Sequence, residues 1–142
     1  MPSDSPNTFL QSRTVLVAED NEFNRRLIES WLLDWGANVV LARDGHEAVE
    51  RAVEHKVDLV LLDLHMPNVD GLSALKQLRN LEDACLSAVP VIIVTADVFG
   101  AKDCLRESGP GIQLVHKPIN SDLLANTIAK MLGMVEPVVV NE

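Results

Sequence analysis

Apolar residues along this chain follow two alternating periods. Thr14–Ala18 (TVLVA) is a short β-branched run stopped by Glu19-Asp20-Asn21, which predicts a strand. Phe23, Leu27, Trp31 and Trp35 then recur every four residues with Ile28 and Leu32 beside them, predicting an amphipathic helix ended by Gly36. Trp31 and Trp35 share one face of it and read as core or interface residues. Ala37–Ala42 (ANVVLA) is strand-like, and Asp44-Gly45 opens a helix carrying Ala48, Val49, Ala52 and Val53. Val57–Leu62 (VDLVLL) is the most apolar run and predicts a strand covered on both faces. Pro67 and Asp70-Gly71 lead into a helix bearing Leu72, Leu75, Leu78 and Leu81. A strand over Val89–Val94 and a weaker helix near Val98–Ser108 follow. Ile112–Val115 is a last short strand, and beyond Pro118 a helix carries Leu123, Leu124, Ile128 and Leu132.

Five short strands alternating with five helices imply βαβ crossovers, hence an α/β domain with a parallel sheet and helices on both faces. The pattern spans residues 13–133. Residues 1–12, polar with Pro2 and Pro6, read as a disordered lead-in. The tail 134–142, with Pro137 and Val138–Val140, reads either as an added strand or as a linker. Ligands of such sheets bind beyond the carboxyl ends of the strands, so the chemistry is to be sought there.

Composition narrows the choice. A length of 142 residues suits one domain, and 12 Lys+Arg against 21 Asp+Glu leave a net charge of −9. Such a surface argues against nucleic acid as a direct ligand, because phosphate contacts need clustered cations. No apolar run approaches the ~20 residues of a membrane span, and the opening MPSDSPNTFLQSR lacks a basic and an apolar signal region. Cys85 and Cys104 have no metal-ligand spacing and read as plain thiols. A cytoplasmic domain without membrane contact is expected.

The strand ends carry Glu19-Asp20, Asp63, Thr95 and Lys117-Pro118. Each has a bland role available: a helix cap for the acidic pair or for Thr95, a solvated loop acid, a surface lysine. Together they suggest more. If the first and third strands are neighbours, three carboxylates converge and repel one another, and Mg²⁺ suits such a cluster because it takes a few carboxylate oxygens, water and phosphate. Thr95 and Lys117 add a donor and a positive charge for an anion. A carboxylate nucleophile, a divalent cation, a hydroxyl and an ammonium make a phosphoryl-transfer set.

The segments VLVAEDN (15–21), LVLLDLHMPNVDG (59–71), PVIIVTA (90–96) and HKPI (116–119), in this order, resemble the receiver domain of two-component response regulators. EDNEFN followed by MPNVDG is similar to the receivers of hybrid histidine kinases. The resemblance implies a flavodoxin-like doubly wound (βα)5 fold with a five-stranded parallel sheet in the order 2-1-3-4-5. It implies that Asp63 is the phosphoacceptor, with Thr95 bonding the phosphoryl group and Lys117 pairing with it. It also implies a Mg²⁺ site formed by Glu19, Asp20, Asp63 and the backbone carbonyl of His65, with Glu19 acting through water, and a cis Lys117–Pro118 peptide. The implied partner is a histidine kinase or phosphotransfer domain bearing phosphohistidine, with room for a weak homodimer. The chain would be a signalling phosphoacceptor assisting its own phosphorylation and dephosphorylation, not an enzyme acting on a separate metabolite.

Some positions depart from the family. Leu114 stands where signalling members usually carry an aromatic, which questions the usual threonine-to-aromatic switch, and Pro110 with Gly111 alters the approach to the last strand. His65 and Asp97 would border the path of a hydrolytic water; Asp97 is expected to orient it, while His65 either blocks or holds it. Two other functions compete. A phosphorylation-independent docking module would not need the intact acids, Thr95 and Lys117. A haloacid-dehalogenase-like phosphatase needs an Asp at the position of His65. No GxxxxGK[ST] loop is present, and a flavodoxin would need a phosphate-cradling loop where Glu19-Asp20 stand.

Overall fold

The computed structural model describes residues 8–64, 71–96 and 111–133. Its elements run β1 (Thr14–Ala18), α1 (Glu22–Asp34), β2 (Asn38–Ala42), α2 (Gly45–His55), β3 (Leu59–Asp63), α3 (Gly71–Arg79), α4 (Ala84–Ser87), β4 (Val91–Thr95), β5 (Ile112–His116) and α5 (Ser121–Met131). All strand pairs are parallel, in the order β2-β1-β3-β4-β5 expected of the flavodoxin-like fold. No helix among the described residues is long and apolar enough to cross a membrane.

Side chains alternate across the sheet and divide the core in two. Val15, Val17, Leu59, Leu61, Ile92 and Val94 face α1 and α5, which contribute Ile28, Leu32, Leu124 and Ile128. Leu16, Val60, Leu62, Val91 and Ile93 face α2 and α3, which contribute Ala48, Ala52, Leu75 and Leu78. β3 and β4 are buried along their whole length, as the run of aliphatics in each demands. Each fully buried leucine contributes about 1.5–3 kcal/mol, so the central strands are the rigid frame on which the loops beyond them are held.

Several expectations shift. The lead-in is not disordered as far as residue 12: Leu10 is fully buried, its N–H donates to Trp35 O at 2.9 Å, and the Phe9 ring lies 5.5 Å from that of Trp35. Phe9 and Leu10, apolar within a polar segment, cover the C-terminal end of α1. Phe23, first of the four-residue stripe, is exposed; Ile28, Leu32 and Trp35 form the buried face. β3 and β4 begin two residues later than the apolar runs suggest and extend one further, so Asp63 and Thr95 are strand residues. Leu81 lies beyond α3, and the short α4 shows no periodicity in sequence; Asp83 caps it by accepting from the N–H groups of Cys85 and Leu86. The helix near Val98–Ser108, the tail 134–142, His65, Asp97 and Cys104 lie outside the described residues.

Candidate functional site

Register carries the chemistry to one end of the sheet. Ala18 pairs with Leu62, which brings Glu19 beside Asp63; Asp63 pairs with Val94, and Thr95 with His116. The Lys117 N–H continues the ladder by donating to Thr95 O at 2.9 Å, and the Lys117–Pro118 peptide is cis. Carboxylate oxygens of Glu19, Asp20 and Asp63 lie within 4.8 Å of one another. Lys117 Nζ reaches Asp63 Oδ2 at 3.3 Å and Glu19 Oε1 at 3.4 Å. Thr95 is fully buried, Glu19 and Asp63 are nearly so, and Asp20 faces solvent.

The bland role of the acidic pair is taken by another residue. Asn21, not Glu19 or Asp20, caps α1, its side chain accepting from Asn24 N at 2.9 Å. Glu19 Oε2 accepts from Asn21 N at 3.2 Å, which holds the carboxylate inward. Among the described residues its other oxygen, Oε1, is buried without a hydrogen-bond partner and lies 3.4 Å from the Lys117 ammonium. Buried acids tolerate this only with a cation near by.

The charges perturb one another. Burial, reinforced by the adjacent Asp63 carboxylate, pushes the Glu19 carboxyl above the usual range, against the opposing pull of Lys117. Burial would depress the Lys117 ammonium, but Glu19 and Asp63 more than offset it and hold it above its usual value. Three acids facing one lysine leave an excess of negative charge. An oxygen-only donor set with one buried, unbonded oxygen and one solvent-facing carboxylate fits a hard divalent cation. The structure thus brings Glu19, Asp20, Asp63 and Lys117 together and ends β4 at Thr95, whereas Leu114 sits half-buried on β5 against the α2–α3 side of the core.

Two further residues support the acids. Arg25 Nη1 donates to Glu19 O at 2.9 Å and Asp20 O at 3.4 Å, fixing the backbone that bears both acids. Its position six residues beyond Glu19 carries no motif. Gly71 packs directly on the end of β3, where a Cβ would lie 2.5 Å from Asp63 O. In the sequence Asp70-Gly71 leads into the helix and carries no sign of this approach. Beside the acids, Phe23, Leu27, Pro118 and Ile119 border a groove of ≈ 470 Å³ that reaches Lys117.

Residues 15–129 match the model of the response regulator receiver domain. The chain is 35% identical to the polar-differentiation response regulator DivK of Brucella anthropi, over 85% of this chain and 97% of that one. Among solved structures, the receiver domain of sensor histidine kinase PA1611 from Pseudomonas aeruginosa, with a magnesium ion in its active-site cleft, is 32% identical. The TM-score is 0.76, covering 85% of this chain and 98% of that one. The Saccharomyces cerevisiae histidine phosphotransfer protein Ypd1 in complex with the receiver domain of Ssk1 gives 28% identity and a TM-score of 0.77, covering 87% and 90%.

Proposed function

The chain belongs to the response regulator receiver family of two-component signalling, and from that premise we propose that Asp63 takes a phosphoryl group from a phosphohistidine in a Mg²⁺-dependent reaction. The observation that carries this is the Lys117 ammonium, held at once by Asp63 and by Glu19. An Asp63 oxygen attacks phosphorus in line, the P–N bond breaks as the P–O bond forms, and the leaving imidazole keeps the bonding pair and takes up a proton. Lys117 Nζ neutralises charge on the entering phosphoryl oxygens, and the Thr95 hydroxyl donates to one of them. Glu19, Asp20, Asp63 and the His65 carbonyl would hold the Mg²⁺, which when bound screens the carboxylates from the phosphoryl charge.

The donor is a histidine kinase or phosphotransfer domain. An apolar rim of Phe23, Leu27, Pro118 and Ile119 beside Lys117 suits a helical partner presenting its phosphohistidine there. The chain is thereby a cytoplasmic signalling phosphoacceptor that assists its own phosphorylation and dephosphorylation, not an enzyme acting on a separate metabolite. Incubation with a small acyl phosphate and Mg²⁺ should add one alkali-labile phosphoryl group by mass spectrometry, and Asp63→Asn should abolish it. Labelling that persists in the variant, or a stable adduct elsewhere, would overturn the assignment.

A further inference from the structure

The outer edge of the sheet carries a second feature, away from the acids. β2 is an edge strand in the order β2-β1-β3-β4-β5. Asn38 N donates to Arg13 O at 2.8 Å and Ala42 O accepts from Glu19 N at 3.1 Å, so these positions bond inward to β1. The alternation of a parallel ladder turns the N–H and C=O groups of Val39 and Leu41 outward, and no described strand pairs with them. Over this edge lies a groove of ≈ 470 Å³ between α1 and α2, with Val39 and Leu41 on its floor.

Its rim is cationic in an acidic protein. Arg25 and Arg26 on one side and Arg43 and Arg51 on the other are four of the chain's 12 Lys and Arg, against only Glu29 and Glu47 of its 21 acids. Arg25 is committed to backbone carbonyls. Arg26 and Arg43 engage Glu22 and Glu47 through i,i+4 pairs in which both arginines are about 70% exposed, a weak kind of pair that exchanges readily with a new carboxylate. Arg51 makes no direct ion pair among the described residues and acts on Glu47 only through longer-range attraction.

We propose that the edge of β2 and its arginine-lined groove form a docking site for an extended acidic segment of a partner protein, added to the sheet beside β2. The backbone groups of Val39 and Leu41 supply the ladder, their apolar side chains border alternate residues of the incoming strand, and Arg26, Arg43 and Arg51 select carboxylates among the rest. A second copy of this chain is disfavoured, because pairing two β2 edges would bring the same arginines face to face. A small polyanion would use the arginines but leave the strand's backbone groups unpaired. The site stands independently of the acceptor chemistry at Asp63.

The test titrates the ¹⁵N-labelled chain with a short peptide alternating Val and Glu, with the same peptide N-methylated at alternate amides, and with inorganic phosphate. The unmodified peptide should shift the Val39 and Leu41 amides and slow their hydrogen exchange, and the N-methylated peptide should not. The double variant Arg26→Glu, Arg51→Glu should weaken binding by about tenfold or more, while Arg26→Lys with Arg51→Lys retains most of it. Absence of binding, equal binding of the N-methylated peptide, or the same shifts with phosphate alone would each overturn strand addition. Self-association through the β2 edge in sedimentation would overturn the choice of partner.

Discussion

Replacing Gly71 by Ala sets a methyl group against the end of β3. Gly71 opens α3 and donates its N–H to Leu64 O at 3.1 Å. A Cβ there meets Asp63 O at 2.5 Å and Leu64 Cα at 2.6 Å, both backbone atoms that no rotamer change can move. Ordinary contact begins at 3.4 Å, so helix and strand must part by about 0.9 Å. Overpacking of this kind costs about 1–3 kcal/mol, and the better helix propensity of Ala returns less than about 1 kcal/mol. A net loss of about 1–2 kcal/mol lowers the melting temperature by about 3–7 °C in a domain of this size. The displacement falls on the backbone of Asp63 itself, and misplacing a reacting group by about 1 Å can cost on the order of 10²-fold in rate. Thermal unfolding and the rate of labelling by a small acyl phosphate should therefore both suffer in Gly71→Ala, labelling far more. Gln77→Ala, on the exposed side of the same helix, serves as the control. If Gly71→Ala melted within about 1 °C of the native chain and labelled at its rate, the close approach of α3 to Asp63 would be refuted.

Other substitutions test separate parts of the structure. Leu10→Ala empties a fully buried site and should cost about 2–4 kcal/mol in urea unfolding; a change below about 0.5 kcal/mol would restore the lead-in to disorder. The unfolded Glu19 carboxyl titrates near 4.5 and the folded one higher, so the folded state holds its proton longer and stability falls as pH rises through that window. Glu19→Gln should then raise the urea midpoint at neutral pH in metal-free protein, and a lower midpoint would mean that the Lys117 contact outweighs burial. Glu47 is held below its usual range by accepting from Arg43 N at 2.9 Å and, more weakly, by the Arg43 side chain, so it stabilises the fold above pH 4.5 and that contribution is lost as pH falls through the lowered value. In Glu47→Gln this part of the acid limb of the stability curve should flatten; an unchanged acid limb would show the bond to be broken in solution.

The sequence by itself determined the alternation of strands and helices and the residues at the strand ends, because those signals are local. A β-branched run such as Thr14–Ala18 or an aliphatic run such as Val91–Thr95 specifies its own conformation and burial within a few residues. The order of four motifs then identified Glu19, Asp20, Asp63, Thr95 and Lys117 as a set. Tertiary structure alone decided how near they come: Lys117 reaches Glu19 and Asp63 at 3.4 and 3.3 Å only because five strands are in register. It also decided that Asn21 rather than the acids caps α1, that Leu10 is core and Phe23 surface, and that Arg25 holds the acidic loop. The same holds for the open, arginine-rimmed edge of β2, since Val39 and Arg51 lie on different elements and nothing in either segment refers to the other. Periodicity encodes which face of an element is apolar. Which charges share a site, and which strand is left with an open edge, follow from long-range packing, where residues far apart in the chain exclude water from the space between them.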